Sequence, residues 1–142
     1  PGRMNLFAVN GGVVVLDYAH NPHAIQALGS FIEEVRQGRK VTGVVTIPGD
    51  RSDELIREGG YAAGRCFDRI IVREDSDLRG RRNGEIATLV CSGVKEARHD
   101  AQCDIVLDEQ GSLRKALDEM NLGEIVFYFY DDRAQAHEVL EE

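Results

Sequence analysis

A chain of 142 residues, 42% of them hydrophobic, can bury one core but not two, so a single domain spanning 1–142 is expected. Twenty-five acidic residues against seventeen basic ones leave a net charge of −8, which repels phosphate backbones and argues against nucleic acid or an anionic membrane as partner. No apolar run reaches membrane-spanning length, and a soluble, cytoplasmic protein is expected.

Residues 5–9 and 13–16 are apolar runs joined by Asn10-Gly11-Gly12, and Asn-Gly tolerates the positive φ of a tight hairpin turn. From Pro22, the residues Ala24, Ala27, Leu28, Phe31, Ile32 and Val35 recur at three and four, which predicts a helix stopped at Gly38. Residues 41–47 read as a strand ending at Pro48-Gly49-Asp50-Arg51. Ser52 then caps a helix with Asp53 and Glu54 in its first turn. A strand at 68–72, a charged loop at 73–82, a helix on Ile86, Val90 and Val94, and a strand at 104–107 follow. Asp108 caps a helix that buries Leu113, Ala116, Leu117 and Met120. A strand at 125–129 and a short helix over Ala136, Val139 and Leu140 close the chain.

This order predicts a Rossmann-like α/β fold: a six-stranded, mostly parallel sheet with one antiparallel N-terminal strand and helices on both faces. In right-handed crossovers every strand-to-helix loop lies at the carboxyl edge, so residues 17–22, 48–51, 73–82 and 130–132 are expected on one rim. That rim is the expected working surface, because Asp17-Tyr18-Ala19-His20-Asn21-Pro22 gathers a carboxylate, a phenol, an imidazole and a carboxamide there.

Other motifs are missing or weak. Neither G-x-x-x-x-G-K-[ST] nor G-x-G-x-x-G occurs, and there is no G-x-S-x-G or H-E-x-x-H. Gly60 and Gly64 are spaced for close helix-to-sheet packing. His20 and His23 lack an evident third ligand, so no metal site is expected, and His99 and His137 read as surface residues. Cys66, Cys91 and Cys103 are odd in number and show no C-x-x-C spacing, so we expect buried or reduced thiols and no disulfide. Pro1 in place of Met leads us to expect a piece cut from something longer.

Three motifs in register carry a resemblance: Pro1-Gly2-Arg3-Met4-Asn5 before the hairpin, the hexapeptide at 17–22, and Gly49-Asp50-Arg51 after the next strand. Together they resemble the C-terminal, amino-acid-ligase domain of the Mur ligase family of ATP-dependent amide ligases. Within that family, Pro48-Gly49-Asp50-Arg51-Ser52-Asp53-Glu54, residues 67–75 and Asp77-Leu78-Arg79-Gly80-Arg81 look most like the cyanophycin synthetase branch. Muramyl-peptide ligases carry an Asp-Asn-Pro-Arg type motif where this chain has Asp75-Ser76-Asp77-Leu78-Arg79, which makes a peptidoglycan precursor the weaker choice of substrate.

The resemblance implies that ATP phosphorylates a carboxylate and that the amine of an amino acid attacks the acyl phosphate. It assigns Arg3, Asp17, Tyr18, His20 and Asn21 to the nucleotide edge, with helix capping the plainer role for Asp17 and Asn21. It assigns Arg79 to the amino acid's carboxylate and Glu74, Asp75 and Asp77 to its side chain, which favours arginine; a solvated charged loop is the plainer alternative for these three acids. Arg51 either positions substrate, holds the closed domain arrangement or makes a loop-internal salt bridge, and Asp131 and Asp132 are weaker candidates. The implied partner is a central P-loop domain, which supplies most catalytic groups and the Mg²⁺ ligands, so this domain alone is expected to be inactive. A homo-oligomeric parent is compatible with the resemblance. A ligase for another amino acid, such as glutamate, and a free-standing ligand-binding module are the alternatives.

Overall fold

The computed structural model describes residues 5–9, 11–17, 22–129 and 140, with backbone alone at Asn5, Asp17 and 22–27. Strands β1 (Asn5–Val9) and β2 (Gly12–Asp17) form the expected hairpin, with Val9 opposite Gly12 and Gly11 turning at a φ of +74°. Then come α1 (Pro22–Arg36), β3 (Val41–Val45), α2 (Asp53–Cys66), β4 (Arg69–Val72), α3 (Glu85–Ala97), β5 (Gln102–Ile105), α4 (Glu109–Asp118) and β6 (Ile125–Phe129). The final predicted helix falls outside the described residues except for Leu140, which is helical.

The sheet runs β1-β2-β6-β3-β4-β5, and every pairing except that of the hairpin is parallel. Strand β6, last in sequence, fills the slot between β2 and β3. All five of its residues, Ile125-Val126-Phe127-Tyr128-Phe129, are buried, as a strand covered on both faces requires. Strand β5 begins two residues earlier than predicted. It lies at the sheet edge, where polar positions such as Gln102 and Asp104 are tolerated, so the apolar pattern misplaced its start.

Alternation along the strands divides the core. Val15, Val41, Val45, Ile70, Val72 and Phe127 face α1, α2 and α3, whereas Val14, Leu16, Val44, Ile71, Val126 and Tyr128 face α4. Both predicted caps are present. Ser52 Oγ accepts from the Leu55 N–H at 3.2 Å, and Asp108 accepts from the Gly111 N–H at 2.7 Å. Among the described residues no helix is long and apolar enough to cross a membrane.

Two expectations are corrected. The glycines of α2 pack against a helix and not against the sheet: a Cβ on Gly60 would sit 2.0 Å from the Val90 carbonyl oxygen of α3, and one on Gly93 would sit 2.0 Å from the Arg57 carbonyl oxygen of α2. The two backbones therefore touch directly. Cys91 on α3 and Cys103 on β5 form a disulfide, where reduced thiols were expected. Their separation of 12 residues shows no motif spacing, and only the crossover from α3 to β5 brings them together. Cys66 stays outside the disulfide, and burial pushes its thiol above the ordinary range.

Replacing Gly60 by Ala should cost about 1–3 kcal/mol of stability in denaturant unfolding, because α2 and α3 must separate to admit the methyl group. An unchanged midpoint would contradict the close approach. Alkylation of the unreduced, denatured chain should label one cysteine, Cys66, and all three after reduction; labelling of three without reductant would contradict the disulfide.

Candidate functional site

Strands β2, β3, β4, β5 and β6 run in one direction, so their carboxyl ends share an edge, as the sequence predicted. The loops leaving β3 and β4 converge there. Gly49 approaches the Leu78 carbonyl so closely that a Cβ would lie 2.5 Å from its oxygen. Arg81 fastens the two loops: Nε donates to the Gly49 carbonyl at 2.9 Å, Nη2 to the Arg51 carbonyl at 2.8 Å, and Nη1 to Asp53 at 2.7 Å and Glu85 at 2.6 Å.

Helix α3 begins at Gly84, which has no side chain to cap it and a φ of +85°. Its open N–H groups need an acceptor from elsewhere. Glu74, only 6% exposed, supplies it: one carboxylate oxygen accepts from the Gly84 N–H and the other from the Ala87 N–H, both at 2.9 Å. The positive end of the helix dipole favours that negative charge. The Glu74 N–H itself donates to the Leu107 carbonyl beyond β5, at 3.1 Å. Glu74 thus ties three segments together, and both of its oxygens are engaged.

On this frame sits an exposed cluster of acids and arginines. Arg79 holds a positive φ of 51°, with its N–H donating to Asp77 Oδ1 at 3.0 Å. Its Nε pairs with Asp77 Oδ2 at 3.0 Å, and its Nη1 with Asp50 Oδ2 at 3.0 Å. Asp50 Oδ1 takes Arg51 Nη1 at 3.0 Å, so Arg51 makes the loop-internal salt bridge that was one of its predicted roles. Asp75 lies deeper, paired at 3.2 Å with Nη1 of the fully buried Arg73. Arg73 Nη2 donates to the Phe129 carbonyl at 2.8 Å, and its guanidinium lies over the Tyr128 ring. Burial holds the Tyr128 phenol protonated, far above its ordinary range.

The structure therefore brings Arg51, Glu74, Asp75, Asp77 and Arg79 to one edge. Asp17 reaches the same edge by backbone register, opposite Phe129. Arg3, Tyr18, His20, Asn21, Asp131, Asp132 and His137 lie outside the described residues. Among the described residues, no group of three His, Cys, Asp or Glu could hold a metal ion, and His99 is exposed. Sequence reasoning gave no roles to Asp50, Arg73 and Arg81. The available signal was the density of charge, with arginines at 73, 79, 81 and 82 interleaved with acids at 74, 75 and 77 and preceded by acids at 50 and 53.

The family model described as Mur ligase, glutamate ligase domain matches residues 2–139. The chain belongs to that family. This Mur ligase domain is 41% identical over 140 residues to the cyanophycin synthetase of Synechocystis sp., covering 99% of the chain and 16% of that protein. It is similarly 40% identical to the Crocosphaera subtropica cyanophycin synthetase, covering 96% of the chain and 15% of that protein. The chain thus spans about one sixth of the curated relatives it matches. The Mur ligase fold also appears in the structure of UDP-N-acetylmuramoyl-L-alanyl-D-glutamate–2,6-diaminopimelate ligase, with a TM-score of 0.75 at 16% identity, covering 99% of the chain and 31% of that one. A folylpolyglutamate/dihydrofolate synthase from Yersinia pestis, solved with AMPPNP and a Mn ion, gives a TM-score of 0.70 at 22% identity over 99% of the chain and 31% of its own.

Changing Glu74 to Ala leaves the Gly84 and Ala87 N–H groups without their acceptor and should cost about 2–4 kcal/mol in denaturant unfolding. Changing it to Gln should recover little, since the amide NH₂ would face one of the two donors. Wild-type stability in Glu74→Ala would contradict the cap.

Proposed function

We propose that this chain is the amino-acid-binding domain of an ATP-dependent acid–amino acid ligase that joins arginine to aspartate side chains of a poly-aspartate backbone. The observation that carries the reading is the pairing of Arg79 with Asp50 and Asp77, with Arg51 on the other oxygen of Asp50, on the rim of a domain whose curated relatives at about 40% identity are cyanophycin synthetases. Arg79 grips the α-carboxylate of the incoming amino acid through its planar fork of donors, a geometry lysine does not reproduce. Asp75 and Asp77 face its cationic side chain, and Glu74 supports them from beneath by holding the loop to α3. Arg51 stands at the face that meets a central P-loop domain.

Arg3, Asp17, Tyr18, His20 and Asn21 form the domain's share of the nucleotide site. ATP supplies the phosphoryl group that activates the acceptor carboxylate, and Mg²⁺ is held mainly by the central domain. This domain's own contribution is orientation: it fixes the amino acid by two charged ends and presents the amine when the domains close. The acidic character of the 73–82 loop favours arginine over glutamate.

The complete enzyme should hydrolyse ATP in an arginine-dependent way on an aspartate polymer, and the 142-residue chain alone should not. Changing Arg79 to Lys should raise KM for arginine by about tenfold or more while leaving KM for ATP within about twofold. Glutamate-dependent turnover in place of arginine-dependent turnover would contradict the substrate, and an unchanged arginine KM would contradict the role of Arg79.

A further inference from the structure

A guanidinium offers two edges that can take a carboxylate through paired N–H bonds: Nε with Nη2, and Nη1 with Nη2. In Arg79 the Nε of one edge is held by Asp77 and the Nη1 of the other by Asp50, each at 3.0 Å. An arriving carboxylate can therefore engage an edge fully only if one of these acids gives way.

The two acids are not equally held. Asp50 also binds Arg51, and the carbonyls on either side of it, Gly49 and Arg51, are fixed by Arg81. Asp77 is 71% exposed, and its second oxygen meets only the Arg79 N–H among the described residues. Movement of Asp77 away from Arg79 costs one exposed ion pair, a weak interaction, and the hydrogen bond from the Arg79 N–H, which solvent can replace at so exposed a site. Moving Asp50 disturbs both arginines at once.

We propose that Asp77 is a specificity-determining residue that exchanges partners when the amino acid binds. The α-carboxylate replaces it on the Nε and Nη2 edge of Arg79, and the Asp77 carboxylate passes to the cationic side chain of the same molecule. This rests on the reading of the rim as the amino-acid site. No covalent bond changes, and the charges balance: one internal ion pair becomes two pairs with a zwitterion that carries an additional positive charge. A neutral side chain displaces Asp77 without offering it a new partner. An acidic one adds repulsion. The exchange therefore selects basic amino acids through the residue that closes the site when empty.

The test compares L-arginine with L-citrulline, which has the same length but an uncharged urea end, in the complete enzyme. KM for arginine is read from ATP hydrolysis and Ki for citrulline from competition with arginine. In Asp77→Asn the arginine KM should rise about two- to five-fold, the range an exposed ion pair supports, while the citrulline Ki stays the same or falls, so discrimination contracts. Asp77→Glu should keep most of the discrimination. Asp50→Asn should weaken both ligands by a similar factor and leave their ratio in place, because it misplaces Arg79 for either. If Asp77→Asn weakens both ligands equally, Asp77 is only a support for the loop and the exchange is wrong. If the wild-type enzyme shows no arginine-dependent turnover, the reading of the site itself fails, a result distinct from arginine turnover with unaltered discrimination.

Discussion

The candidate site depends on a single buried carboxylate. Helix α3 starts at a glycine that cannot cap it, and Glu74 meets that need from ten residues upstream in sequence. A charged acceptor at a helix N-terminus, shielded from water, is both a stronger hydrogen-bond partner and a costlier one to remove than its exposed counterpart. Because Glu74 also leaves β4 and bonds the backbone beyond β5, the loop at 73–82 is fixed at its root while its tip remains exposed. Binding loops need that combination: a rigid scaffold beneath and charged groups free to meet a ligand above.

The arginines divide by burial into different tasks. Arg73 is fully buried, and it joins the end of β4 to the end of β6 across β3 while holding Asp75. Arg81, largely covered, satisfies two carbonyls and two carboxylates and so welds the β3 loop to the start of α3. Arg79 is half exposed, and its two ion pairs are with carboxylates that solvent also reaches. Exposed pairs of this kind add little to stability, so they can be exchanged for ligand contacts at small cost.

Much of this is legible in the amino-acid sequence. Period-two and period-three-to-four patterns located the strands and helices, and the polar caps Ser52 and Asp108 acted as their chemistry indicates. The shared rim followed from the handedness of crossovers. The insertion of β6 between β2 and β3 was not legible, because strand order depends on which slot the last crossover reaches; only its unbroken apolar run hinted at a central place. The Cys91–Cys103 bond and the contact of α2 with α3 arise from tertiary placement, which local spacing does not encode. Glu74 read as one of several loop acids, because the capless glycine that requires it lies ten positions away. Asp50 was hidden for a similar reason: its partner Arg79 is 29 residues further along.

The most direct test of the account is a crystal structure of the complete enzyme with L-arginine bound. The α-carboxylate of the ligand should lie within hydrogen-bonding distance of the Arg79 guanidinium, with Asp50 still in place beside it. An arginine bound elsewhere, with Arg79 still closed between Asp50 and Asp77, would contradict it.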